Sequence, residues 1–276
     1  MKKVFTEGFK SEGTPDLKYY AFDWDDNIVH MPTKILVQDA SGNEFGMSTD
    51  DFAEFRHQIG KEPFSYKGNT IVGYSDSPFR NFRTEGDKDF LVDAMRAKTG
   101  PAFDDFKEAI NNGSIFAIIT ARGHNPNTIK EAIYNYIIEG FKGIDKDELV
   151  KNLKKYRSFV GEDEMTDEEL IKSYLELNKY HPVSFGDDKG AVNPEEAKVE
   201  AMEDFVNYIK AMAAVLNKKA FLKKDIANKF NPKNLSIGFS DDDPKNIEVM
   251  QKHFKNKPDN IVKTYSTAGG VKQEVN

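Results

Sequence analysis

Residues 19–30 read YYAFDWDDNIVH: a run with β propensity, Tyr19-Tyr20-Ala21-Phe22, then three acids, Asp23, Asp25 and Asp26, around the only tryptophan of the chain, Trp24. Carboxylates crowded at a strand end repel one another and lose solvation, so such crowding is costly as mere structure. Polar groups also close three comparable apolar runs: Thr120 after SIFAIIT (114–120), the Asp187–Lys198 region after HPVSFGD (181–187), and Asp241-Asp242 in and after LSIGFSD (235–241). In open parallel sheets, ligands bind beyond the carboxyl ends of the strands. One acidic pair at a strand end is ordinarily a cap or a turn. A polar set converging from four ends reads as a site.

The chain has no cysteine, which excludes thiolate chemistry, disulfides and cysteine-held zinc or iron–sulfur centres. Its five histidines, His30, His57, His124, His181 and His253, are too scattered for a spaced metal motif, although His30 and His124 follow the first two runs and are candidates for lining a pocket.

The elements that must position these residues are legible as short apolar runs without alternation, which suits strands buried on both faces of a parallel sheet. Three are followed by helices with a favoured start, Asn or Asp as N-cap and then Pro: Asn125-Pro126, Asn193-Pro194 and Asp243-Pro244. Strand–helix alternation predicts a Rossmann-like α/β core, a parallel sheet with right-handed crossovers and helices on both faces. Roughly 85 residues separate the first two runs, far more than a crossover needs. The expected organisation is a core of 1–30 and 114–276 with a cap insertion over 31–113. Within that cap, 33–48 reads as a hairpin around Ser41-Gly42-Asn43, and 87–100 and 102–113 read as helices. A charged helical insertion at about 142–180 reads either as a solvated excursion or as a lid over the active edge.

With 276 residues, 38% hydrophobic and 31% charged, the chain can bury a core. A net charge of −7 lacks the global basic field of a non-specific nucleic-acid binder. No run of about 18 apolar residues predicts a membrane span, and the first residues lack the apolar stretch of a signal peptide, so a cytoplasmic location is expected.

Taken in order, FDWDDN, IITAR and GFSDDDPKNI resemble the DxDx(T/V) strand end, the Thr-ended strand and the DDxxxN acidic motif of the haloacid dehalogenase superfamily of phosphotransferases. The resemblance covers about residues 17–30, 114–141 and 181–256, not the insertions. It implies a Mg²⁺-dependent phosphomonoesterase working through an aspartyl-phosphate. Asp23 would be the nucleophile and Asp25 the general acid and then base. Asp23, the backbone carbonyl of Asp25 and Asp242 would hold the metal. Asp241 is the alternative ligand, because the Asp241-Asp242-Asp243 triplet leaves the register open by one; Asp243 suits the helix cap. Thr120 would offer its hydroxyl to the phosphoryl oxygens and Lys198 its charge, with Lys189 as the competing lysine. Arg122, Lys189 and Asn27 are candidate substrate contacts; Asn27 stands where Thr or Val is usual and can also close the loop. A covering cap implies a small phosphorylated metabolite or nucleotide. The alternative, a polynucleotide 3′-phosphatase, requires an open basic groove, for which Lys61, Lys67, Arg80 and Arg83 near Phe79 and Phe82 are the available residues. A non-catalytic binding protein on a degenerate scaffold would be expected to lack Asp23 or Asp25, and both are present.

Overall fold

A computed structural model describes residues 17–160, 165–187, 192–222, 235–258 and 260–275. In chain order the elements are β1 (Leu17–Phe22), β2 (Val29–His30), β3 (Ile35–Asp39), β4 (Glu44–Met47), α1 (Thr49–Phe55), β5 (Phe64–Tyr66), β6 (Asn69–Tyr74), α2 (Asp87–Arg96), β7 (Lys98–Thr99), α3 (Phe103–Asn111), β8 (Phe116–Thr120), α4 (Pro126–Ile138), α5 (Lys146–Val160), α6 (Asp167–Leu177), β9 (Lys179–Pro182), α7 (Pro194–Leu222), β10 (Leu235–Asp241), α8 (Pro244–Phe254), β11 (Val262–Ser266) and β12 (Gln273–Val275).

The main sheet has the order β12-β11-β10-β1-β8-β9. Every neighbouring pair is parallel except β11 and β12, so the sheet is mixed, where a purely parallel one was expected. Before that antiparallel edge, Gly269 and Gly270 take positive φ, which lets the chain fold back. Alternation along the strands sends Phe22, Phe116 and Ile118 to one face and Ala21, Ala117, Ile119 and Phe239 to the other. Residues of α2–α6 cover the first face and residues of α7 and α8 the second. The expected helix starts are present: Asn125 accepts from the Asn127 N–H and Asp243 from the Lys245 N–H, each at 2.9 Å.

Three expectations change. The third strand is Lys179–Pro182 and not 181–187: Pro182 has no N–H, and beyond it the Phe185 N–H donates to Pro182 O (2.9 Å) in a turn. The 142–180 segment is neither solvated excursion nor lid. Leu149, Val150, Leu170, Ile171, Tyr174 and Leu175 are buried in the main core, and the Tyr174 hydroxyl donates to Ser114 O (2.7 Å), at the opposite end of β8 from Thr120. Residues 31–113 also divide. Strands β3–β6 form an antiparallel sheet with its own core of Val37, Met47, Ile59, Tyr66 and Ile71, whereas α2 and α3 send Phe90, Phe103 and Phe106 into the main core beside Phe22 and Trp24. The predicted hairpin is present, with Asp39 accepting from the Ser41 and Asn43 N–H groups (2.9 Å each) and Gly42 at φ +80°. Among the described residues, no helix is long and apolar enough to cross a membrane.

Candidate functional site

Because β1 pairs with β10 on one side and β8 on the other, three of the polar strand ends lie side by side. Phe22 is level with Ser240 and Ile118. The ladder extends one bond further, the Asp23 N–H donating to Ser240 O (2.9 Å), and this fixes Asp23 against the end of β10. The chain then turns. Asp26 adopts a left-handed φ of +54°, and the Ile28 and Val29 N–H groups donate to Trp24 O at 3.1 and 3.2 Å. Gly100 abuts this loop so closely that a Cβ would lie 2.5 Å from Asn27 O.

Asn27 staples the loop. Its Nδ2 donates to Asp23 O (3.0 Å), Ser240 O (3.1 Å) and Ser240 Oγ (3.0 Å), and its Oδ1 accepts from the Thr267 hydroxyl (2.9 Å). Its amide N–H groups and its oxygen are thus all engaged inside the protein, and this, not contact with a substrate, is its role.

Asp23 is 5% exposed, and its Oδ1 accepts from Lys198 Nζ at 2.9 Å. Lys198 also reaches Asp241 Oδ2 (2.7 Å), whose Oδ1 accepts from the Asp243 N–H (3.0 Å) and Asn246 Nδ2 (2.9 Å). Asp242 makes no side-chain hydrogen bond among the described residues. Asp23, Asp241 and Asp242 each offer an oxygen, all within 4.8 Å of one another. Of the two competing lysines, Lys198 lies at the site and Lys189 lies outside the described residues.

Electrostatics here are unbalanced. Burial pushes the Asp23 carboxyl up to about 7; Lys198 opposes this, and Asp241 and Asp25 add to it. Burial pushes Asp242 up to about 9, with repulsion from Asp23 and Asp241 adding. Burial disfavours the charge of Lys198, but its two carboxylate partners outweigh that and hold it protonated. Four carboxylates, Asp23, Asp25, Asp241 and Asp242, thus face two buried cations, Lys198 and Arg122. An all-oxygen donor set short of positive charge suits a hard divalent cation such as Mg²⁺. Asp23, Asp242 and Asp241 are the residues able to hold one, and Asp242 is the least committed elsewhere.

Arg122 is not where a substrate contact would be. It is 2% exposed, and its Nε and Nη2 donate to the two carboxylate oxygens of Asp25, each at 2.7 Å. Nη2 also donates to the Thr33 hydroxyl (3.3 Å) and Nη1 to His124 Nε2 (3.0 Å). The guanidinium carbon lies 4.5 Å from the ring centre of Phe82 and 5.0 Å from that of Phe90. His124, fully buried, donates from Nδ1 to Asp87 (2.8 Å); burial pushes its pKa down to about 4, the Arg122 charge adding to that and Asp87 opposing it. A neutral ring is what this arrangement requires, since Nε2 must accept. Thr120 is buried beside Arg122, its Oγ1 accepting from the Arg122 N–H at 3.4 Å. His30 is exposed, its Nδ1 2.8 Å from Asp26 Oδ1.

Sequence reasoning missed Asp87, Thr33, Phe90, Ser240 and Thr267, and it grouped Phe82 with Arg80 and Arg83 as a candidate substrate or nucleic-acid contact where the structure sets it against Arg122. Asp87 opens a predicted helix and so resembles an ordinary first-turn acid; the other missed residues carry no signal of their own. Of the basic residues in the 31–113 insertion, Arg80 forks onto Glu44 (3.0 and 2.7 Å), Arg83 donates to Asp187 O, Lys67 pairs with Asp51 (3.0 Å), and Lys61 is exposed. No family model matches the chain, and no curated protein or solved structure matches it either.

Proposed function

We propose that this chain is a Mg²⁺-dependent phosphohydrolase of the haloacid dehalogenase type. The observation that carries the reading is the meeting of Asp23, Lys198, Asp241 and Asp242 at the ends of two adjoining strands, with three carboxylate oxygens within 4.8 Å. Asp23 and Asp242, with Asp241 beside them, would hold Mg²⁺, which would supply the positive charge that lets a carboxylate approach a phosphoryl group.

Asp23 Oδ2, free of the Lys198 contact made by Oδ1, attacks phosphorus. A phosphorus–oxygen bond forms on Asp23, the bond to the leaving oxygen breaks, and Asp25 gives that oxygen a proton. Asp25 then takes a proton from the water that attacks the aspartyl-phosphate, freeing phosphate and restoring Asp23. Lys198 keeps the nucleophile oriented and offsets phosphoryl charge. Thr120 already accepts from the Arg122 N–H, so its own O–H remains to donate to a phosphoryl oxygen.

The substrate is a small phosphorylated metabolite or nucleotide rather than a polynucleotide. In this reading the β3–β6 sheet is a cap: Thr49 reaches Asp26, the Gly123 N–H donates to Phe82 O (2.8 Å), and Arg83 holds Asp187 O, all at loops following the carboxyl ends of the main strands. Its Arg80, Arg83 and Lys67 are paired within the protein, which weakens the local basic groove a polyanion needs and leaves Lys61 as the exposed basic residue of that set.

The test is a panel of phosphorylated metabolites, mononucleotides and 3′-phosphorylated oligonucleotides, assayed with Mg²⁺ and with chelator, on the parent and Asp23→Asn. Turnover of small substrates that needs both Mg²⁺ and Asp23 is expected. Turnover that survives Asp23→Asn would overturn the reading, and salt-sensitive turnover of oligonucleotides alone would replace the substrate class.

A further inference from the structure

The guanidinium of Arg122 is almost entirely enclosed, and burying a cation is costly unless its surroundings are built for it. Here they are. Four hydrogen bonds leave it, two of them to Asp25, and its guanidinium carbon lies over the rings of both Phe82 and Phe90. These partners come from separate parts of the chain: Thr33 precedes β3, Phe82 follows β6, Phe90 lies on α2, and His124 follows β8. His124 is itself fixed by Asp87, which accepts from the Thr128 hydroxyl as well (2.9 Å). Thr33 in turn donates to Asp93 on α2 (3.0 Å). Asp25 is 18% exposed, while Arg122 is closed off behind it.

We infer that Arg122 is a positioning residue for Asp25, and that Thr33 and Phe82 make the aim of that carboxylate depend on how the β3–β6 insertion is seated. The inference rests on the phosphohydrolase reading for its kinetic consequences. Its structural core, that the fork of Arg122 sets where Asp25 points, does not. A carboxylate on a loop has free rotation about two side-chain bonds. A planar fork that engages both oxygens removes that freedom, and contact with two aromatic rings restrains the fork itself. Arg122 then acts through Asp25 and touches no substrate atom. Displacing Phe82 would loosen Arg122 and so misdirect Asp25 without altering Asp23, Lys198 or Asp241.

The experiment combines Arg122→Gln, Arg122→Lys and Phe82→Leu with Asp25→Asn. For an alkyl phosphate, Arg122→Gln is expected to lower kcat by about 10–100-fold, part of the ~10²–10⁴ carried by a placed acid–base, with KM nearly unchanged. For an aryl phosphate with a good leaving group the loss should be smaller. Arg122→Lys and Phe82→Leu should fall between the parent and Arg122→Gln. In an Asp25→Asn background, Arg122→Gln should cost nothing further, because the two residues work as one unit. A rise in KM at constant kcat, or a further loss on top of Asp25→Asn, would make Arg122 a substrate contact and overturn the inference. Crystal structures decide without any assay: Asp25 should leave its position in Arg122→Gln, or in Phe82→Leu if the first variant does not fold, while Lys198 stays between Asp23 and Asp241. Asp25 unmoved in the variant that folds would overturn the inference. If the parent shows no Asp23-dependent turnover, the phosphohydrolase reading fails, and the position of Asp25 in these variants still decides the role of Arg122.

Discussion

Lys198 Nζ lies 2.9 Å from Asp23 Oδ1, across 175 residues of sequence, and both side chains are nearly inaccessible to water. The lysine projects from an early turn of α7, and its second contact, 2.7 Å to Asp241, ties the ends of β1 and β10 to that helix. Removing one partner of a buried ion pair strands the other charge. Lys198→Met should therefore destabilise the metal-free chain at pH 8 by about 3–5 kcal/mol. Excess Mg²⁺ should return part of that loss, because it supplies the missing charge. Urea unfolding with Mg²⁺ and with chelator measures both; an equal loss in each would mean that Lys198 contributes packing and not neutralisation.

Asp242 has the opposite character, a carboxylate pushed up to about 9 with no hydrogen bond of its own among the described residues. Its folded-state pKa is raised, so the folded chain holds a proton that the unfolded chain gives up. The resulting stability is full below the ordinary carboxylate range and is lost as pH rises towards 9. Asp242→Asn should remove that decline, making the metal-free chain more stable than the parent at pH 8–9 while abolishing the Mg²⁺-induced rise in Tm. Asp243→Ala should cost about 1 kcal/mol through its lost helix cap and leave the Mg²⁺ response intact. Thermal melts across pH rank the two variants, and the reverse ranking would move the metal ligand by one position.

His124 titrates with the other sign. Its pKa is pushed down to about 4, so the stability it contributes is present above pH 6.5 and is lost as pH falls from there through 4, where the ring must charge beside Arg122. A loss on the order of a few kcal/mol is expected over that interval. His124→Gln should be less stable than the parent at pH 7.5 yet show a flatter decline below pH 6.5. An unchanged acid limb in chemical denaturation would remove His124 from the account.

Asn27 should be intolerant for structural reasons. Asn27→Ala leaves Thr267, Ser240 and the Asp23 carbonyl without their buried partner, which should cost roughly 1–3 kcal/mol for each group left unsatisfied. Hydrogen exchange of the Ile28 and Val29 amides, which close the loop onto Trp24 O, should accelerate more than exchange in α4. Equal protection in both places would mean that the loop holds itself without Asn27.

The acidic end of the sheet was legible because strand alternation and helix caps are local. Asp23 and Asp25 follow directly from where β1 runs out, and Asn125, Asn193 and Asp243 each precede a proline that starts a helix. The role of Arg122 was not legible, since it depends on Thr33, Phe82, Asp87 and Phe90, whose approach is decided by tertiary packing. Charge concealed the helical layer for a different reason: α5 and α6 carry so many Lys, Asp and Glu that their buried stripes, Leu149-Val150 and Leu170-Ile171-Tyr174-Leu175, are easily discounted. At the third strand, Pro182 ended pairing inside a run whose hydrophobicity alone pointed further along.

Trp24 stands between Asp23 and Asp25 in sequence, is fully buried, and stacks on Tyr136 at 5.9 Å with Phe90 at 5.5 Å. As the only indole among 276 residues, it makes the site its own optical label. Emission excited near the red edge of the indole band arises from this one place, at short wavelength while the ring is packed. Excitation of the tyrosines adds energy transfer that reports how closely the rest of the chain surrounds it. Cation binding, ligand entry and loss of the native packing can thus each be followed on the unlabelled protein, as changes in the intensity, wavelength or lifetime of a single emitter flanked by Asp23 and Asp25.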